Sequence, residues 1–304
     1  MSGISLPLPL ARAILHPVFR YSMNVRLPWR VQRAALDAEA VLQMSPKGTR
    51  VDRLPLGGRA TERVTVGRAG SPFALLYLHG GGYTVCSPRT HRPLAAHLAE
   101  ALDAPVYVPD YRLAPEHPYP AALDDAEAAY LELLSTGLTP EGLAVAGDSA
   151  GGGLSLALAQ RLRDRHGIRP AALGLIAPWS NPNEVPPRER DLVINRAWSQ
   201  ASAAAYLGDA DPLDSGYAPL LGEMSGLPPT YVQVDDGEML RAQCGRLVAA
   251  LREADVPTQF SVTRGLWHVA QLQAEMVTPA AAELRALGDF LGEALRTAQT
   301  GSIR

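Results

Sequence analysis

Cysteine is scarce in this chain. Cys86 and Cys244 are the only two among 304 residues. They form no C-x-x-C pair and neighbour no histidine cluster, which argues against a zinc site and leaves no disulfide framework. Two free thiols in a reducing cytoplasm are expected, a single Cys86–Cys244 bridge being the alternative. A basic block is also missing. The 28 Lys and Arg residues are outnumbered by 31 Asp and Glu, for a net charge of −3, so nucleic acid is not the expected partner. Long apolar runs are absent too. The opening MSGISLPLPLARAIL has no basic leader, and Pro7 and Pro9 interrupt it. It reads as neither a signal peptide nor a membrane span. The expectation is a cytoplasmic protein without stable membrane insertion. No repeat or low-complexity tract is visible. With 47% hydrophobic residues, the chain can build a core that needs no metal or disulfide to hold it.

What is present is an alternation. Short continuous apolar runs lie at 73–79, 105–110, 142–148, 171–178 and 230–235. Runs of that length suit strands buried on both faces. Helical patterns fall between them, at about 90–102, 120–135, 150–166 and 239–254, with a last one at about 276–296. The expected fold class is α/β, a mostly parallel central sheet with helices on both faces. Before it, residues 29–44 carry Val31, Ala34, Ala35, Ala38, Val41 and Leu42 at helical spacing. Residues 178–226 hold no obvious buried strand. A structureless loop that long is uncommon inside a compact domain, so helices are expected near 189–207. The organisation follows: 1–50 an N-terminal helical cap segment, 51–180 and 226–304 two parts of one α/β core, and 181–225 a cap insertion.

The segment GDSAG (147–151) matches G-x-S-x-G, between an apolar run and a helical pattern. A sharp strand-to-helix turn there would hold Ser149 in a strained conformation at a helix N-terminus, with Gly147 and Gly151 required sterically. A phosphate-binding loop is the competing reading, but G-K-[ST] is missing and the glycine spacing does not fit G-x-G-x-x-G. A serine hydroxyl needs a base. Of seven histidines, only His166 and His268 follow Ser149. His166 sits in the last turn of the helix after the serine, with Gly167 as its cap, which suits a structural role. His268 follows the run TQFSVT (258–263) and is the expected base. The acid should lie in YVQVDDGEML (231–240), where Asp235, Asp236 and Glu238 compete; Asp235 could cap the next helix and Asp236 could be solvated. HGGGY (79–83) follows the first apolar run. Its glycines let backbone N–H groups approach an oxyanion. Gly80, Gly81 and Ala150 are the expected donors, with Gly82 shaping the loop. Tyr83, Asp148, Trp179 and Trp198 join Gly82 as candidate substrate contacts. Arg112, Glu116 and His117, in YRLAPEHPYP (111–120), are expected to brace a stiff loop rather than to catalyse.

Together HGGGY, YRLAPEHPYPAALDDA (111–126), GDSAGG (147–152), LPPTYVQVDDGEML (227–240) and GLWH (265–268) make the chain resemble the hormone-sensitive-lipase-like α/β-hydrolases, the bacterial family IV carboxylesterases. The likeness spans about residues 60–295. It implies an α/β-hydrolase fold with a small helical cap, and a serine esterase acting on a small-molecule ester through an acyl-enzyme, with no cofactor. It also selects Glu238, which stands two residues before Leu240 where the group places its acid; many members have Asp-Pro-Leu there and this chain has Glu-Met-Leu. Short-chain esters are expected from the modest cap. The resemblance further implies a homodimer through an edge strand, here 258–263. An amidase or peptidase of the same fold, or a non-catalytic ligand-binding member, are the alternatives.

Overall fold

The structure is a computed structural model and describes residues 5–40, 43–67 and 71–301. It is built on one eight-stranded sheet. The strands are β1 (Thr49–Leu56), β2 (Arg59–Val66), β3 (Ala74–Leu78), β4 (Val106–Pro109), β5 (Leu143–Asp148), β6 (Leu173–Ile176), β7 (Thr230–Asp235) and β8 (Thr258–Thr263). Their spatial order is β1-β2-β4-β3-β5-β6-β7-β8. From β4 to β8 every pairing is parallel, while β1 and β2 are antiparallel to their neighbours. The five buried runs of the sequence are β3 to β7, and TQFSVT is β8.

The β1–β2 hairpin is where pattern reading stops short. Thr49–Leu56 carries Arg50, Asp52 and Arg53 and a Pro55, which reads as polar surface. Edge strands carry such residues because they discourage pairing with other chains. The turn is the better signal: Gly57 and Gly58 both take positive φ, 60° and 74°, as a two-residue hairpin turn demands.

Burial on both faces follows from the two-residue period of each strand. Leu76, Leu78 and Val145 point to one face, where α4 (Ala121–Ser135), α5 (Ser149–His166) and α7 (Arg241–Glu253) supply Leu123, Leu158 and Leu247. Leu75, Tyr77 and Ala146 point to the other, against Leu94 and Leu98 of α3 (Pro88–Leu102) and Leu287 and Leu291 of α8 (Thr278–Gly301).

Three further helices lie outside these layers. They are α1 (Leu8–Ser22), α2 (Trp29–Glu39) and α6 (Arg196–Leu207). The expected helix at 29–44 ends at Glu39; Val41 and Leu42 lie outside the described residues. In the 178–226 stretch the main helix is α6, and 189–195 is irregular, with the turn at Asp191–Ile194 held by Asp191 Oδ1 accepting from the Val193 and Ile194 amides at 2.9 Å. The α1–α2 arm is tied to α6: Trp198 Nε1 donates to Gln32 Oε1 at 2.8 Å and Asn195 Nδ2 to Met23 O at 3.0 Å. No described helix is long and apolar enough to cross a membrane. Cys86 and Cys244 are free thiols.

Candidate active site

Topology puts the motifs together. The chain leaves β3 in one direction to form β4 and returns on the other side of β3 to form β5. At such a switch point the loops leaving the strand ends diverge and open a crevice. Leu78 of β3 pairs with Gly147 of β5, so the glycine loop 79–82 and Ser149 emerge side by side. Asp235 of β7 pairs with Thr263 of β8, so the loops carrying Glu238 and His268 emerge together as well.

Ser149 is the first residue of α5 and takes φ 51°. That left-handed conformation is costly for a residue with a Cβ. It persists because the turn is closely packed. A Cβ on Gly147 would collide with the Gly151 carbonyl, and one on Gly151 with the Leu78 carbonyl, both backbone atoms that cannot yield. Ser149 Oγ lies 2.9 Å from His268 Nε2, and His268 Nδ1 lies 2.6 Å from Glu238 Oε2. All three side chains are buried. Glu238 Oε1 accepts from the Asp235 amide at 2.7 Å, which fixes the carboxylate plane. Burial disfavours an imidazolium at His268, but the hydrogen bond and charge of Glu238 outweigh it and raise its pKa.

The competing carboxylates have other places. Asp235 does not cap α7. Its Oδ2 accepts from Thr263 Oγ1 at 2.8 Å and from the Leu266 amide at 2.9 Å, and its Oδ1 from the Gly237 amide at 2.9 Å. It therefore ties the Glu238 loop to the His268 loop. Asp236 is exposed and lies 3.5 Å from Arg241. His166 meets Glu127 at 2.8 Å, and Gly167 caps the helix at φ 65°. Arg112 grips Asp125, and Glu116 pairs with Arg33 at 2.7 Å.

The glycine loop departs from expectation at one residue. The Gly80 N–H is not available to an oxyanion, because it donates to Asp148 Oδ1 at 3.0 Å. The amides of Gly81, Gly82 and Ala150 donate to no protein acceptor among the described residues. Asp148, a candidate contact, lies in the cavity lining but is also engaged by the protein. It also accepts from Tyr77 Oη at 2.8 Å and lies 3.2 Å from His91 Nε2. Burial works against its charge, but His91 and Tyr77 outweigh burial and hold it below the usual carboxylate range. It is thus an anionic brace for the loop. His79, beside it, is kept neutral: burial and then the neighbouring His91 push its pKa down to about 3.

The cavity over Ser149 and His268 is lined by Gly81, Gly82, Asp148, Trp198, Phe19, Met23, Leu36, Glu39 and Ile194, among others. Trp198, a candidate contact, is part of the lining. Tyr83 and Trp179 are not in the lining; Tyr83 stacks on Tyr206 at 3.6 Å between centroids, and Trp179 packs behind it at 6.2 Å. Both are core. Missed from sequence were the lining residues of α1 and α2, because nothing in a helix's own periodicity says which distant loop it covers. Burial pushes the Glu39 carboxyl up to about 7.

The family model of the alpha/beta hydrolase fold matches residues 75–272. The chain belongs to this family. Within it, LipR of Mycobacterium tuberculosis is 39% identical over 274 residues, 89% of this chain and 88% of LipR. Esterase LipU of the same organism is 37% identical, over 74% of this chain and 79% of its own. Among solved structures, an esterase of the bacterial hormone-sensitive lipase family superposes with TM-score 0.88 at 31% identity, over 93% of this chain and 98% of its own. This α/β-hydrolase is a carboxylic ester hydrolase of the hormone-sensitive-lipase-like group.

Proposed function

We propose that the protein hydrolyses short-chain carboxylic esters through Ser149, His268 and Glu238. Neutral His268 takes the Ser149 proton at Nε2 as Oγ attacks the ester carbonyl. Its Nδ1–H donates to Glu238, which stabilises the imidazolium without taking the proton. The oxyanion collects the amides of Gly81, Gly82 and Ala150, aimed where charge develops. Collapse of the tetrahedral species expels the alcohol, which receives the proton from His268. Water, deprotonated by the same histidine, then attacks the acyl-enzyme; the acid leaves and Ser149 recovers its proton. The observation that carries this reading is the unbroken contact from Ser149 Oγ to His268 to Glu238, at 2.9 and 2.6 Å, opening into a cavity. Phe19, Met23, Leu36 and Trp198 crowd that cavity, which favours small acyl groups. In the same reading, α1, α2 and the 181–225 segment act as the cap, and copies of the chain pair through the β8 edge.

Turnover of p-nitrophenyl esters from acetate to dodecanoate tests the proposal. Rates should peak on the short acids and fall with length. A peak at dodecanoate, or turnover of amides alone, would contradict it. The bracing of the glycine loop predicts a further result. Asp148→Ala should cut kcat by about 10²-fold, near the loss of one oxyanion donor, with KM little changed. An unchanged kcat in steady-state assays would show that the loop holds its shape without Asp148.

A further inference from the structure

Helix α1 has three faces rather than two. Ala11 and Ser22 are buried, and Leu15 packs beside them against the loop of Leu266 and Trp267. Leu10, Ile14, Pro17 and Tyr21 follow at i, i+4, i+7 and i+11, a second stripe of one helix. That stripe faces solvent: Leu10 is 49% exposed, Ile14 52% and Tyr21 56%. Arg12, His16 and Arg20 form a third stripe beside it, all exposed. The same character continues past the helix. Val25 and Val31 are exposed, as are Arg26 and Arg30. Of the ten large apolar side chains exposed among the described residues, five lie in this arm. No Asp or Glu occurs before Asp37, in a chain whose net charge is negative.

An outward apolar stripe flanked by arginines is the pattern of a helix lying in a bilayer interface. We propose that the α1–α2 arm docks this protein onto anionic lipid surfaces. Charge complementarity selects that occupant. A second copy joined through the same patch would set arginines against arginines, with no carboxylate between Leu8 and Leu36 to pair them. An anionic headgroup layer supplies the counter-charge along the whole stripe, and the acyl region accepts Leu10, Ile14 and Tyr21. Phe19 and Met23 of the same arm line the cavity, so docking brings the cavity mouth to the lipid. The inference stands whether or not Ser149 is the nucleophile.

Cosedimentation with vesicles tests it, comparing phosphatidylcholine alone with phosphatidylcholine–phosphatidylglycerol mixtures. The wild type should partition onto the mixed vesicles, weakly onto phosphatidylcholine, and be released by high salt. Arg20→Ala with Arg26→Ala should weaken partitioning by roughly fivefold per arginine. Ile14→Ser with Tyr21→Ser should weaken it by about tenfold or more. Both variants should keep wild-type turnover of a water-soluble ester without vesicles, which shows they are folded. Wild type left in the supernatant with mixed vesicles would overturn the proposal. So would partitioning that both variants retain, or a wild-type dimer that Ile14→Ser with Tyr21→Ser dissociates while no vesicle binds.

Discussion

Ser149→Ala and His268→Ala are each expected to lower kcat on a short p-nitrophenyl ester by about 10⁶-fold, and the double variant to lose no more than either single one. In the proposed mechanism the two side chains act on one proton. Without the hydroxyl there is no nucleophile for the base to serve, and without the imidazole the hydroxyl keeps its proton. Their losses therefore do not add. Folding should survive both changes. In Ser149→Ala the new methyl side chain inherits the φ of 51° at similar backbone cost, and the elbow is held by Gly147 and Gly151. A residual rate of about 10³-fold over water should remain, from the amides of Gly81, Gly82 and Ala150. Single-turnover kinetics on proteins of matched circular dichroism would measure it. A double variant that loses the product of the two single losses would mean the residues act separately.

Glu238→Gln is expected to cost about 10⁴-fold in kcat, with a shift in pH dependence that a merely structural change would not give. In the proposed mechanism catalysis needs neutral His268. With Glu238 present, its pKa stands above the ordinary imidazole value of about 6.5, so kcat/KM should fall as pH drops through that raised value. Glutamine keeps the size and hydrogen-bonding reach but removes the charge. Burial, which lowers the pKa, then dominates, and the acid limb should move to lower pH. The pH profile of kcat/KM for wild type and variant checks the sign. A limb moving upward would mean that Glu238 is not the carboxylate facing His268. Asp235→Asn gives the contrast: it weakens the tie between two loops and should leave the limb where it is.

Strands β3 to β7 were legible because each is an apolar run with no polar face to hide it. Ser149 and His268 were legible because their neighbours are constrained: Gly147 and Gly151 by backbone collisions, His268 by its place after β8. Glu238 needed the family resemblance, since three carboxylates share its loop and only tertiary contacts separate them. Asp235 turns to Thr263 and Leu266, and Asp236 to Arg241 and solvent. Gly80 could not have been separated from Gly81 by sequence, because its amide is engaged by Asp148, whose direction is set by Tyr77 and His91 on two other elements. Tyr83 and Trp179 misled for a related reason. An aromatic side chain near a motif in sequence can lie behind it in space, and these two fill the core beneath the loop. The polar edge strand β1 shows the limit of hydrophobic pattern itself, and the hairpin it forms through Gly57–Gly58 went unread.

The most direct measurement is the mass of the protein caught during turnover. Wild type mixed with p-nitrophenyl acetate and quenched in acid should carry one added acetyl group, and peptide mapping should find it on Ser149. It should be absent from Ser149→Ala. An acetyl group on another residue, or ester hydrolysis that Ser149→Ala sustains at the wild-type rate, would contradict the account.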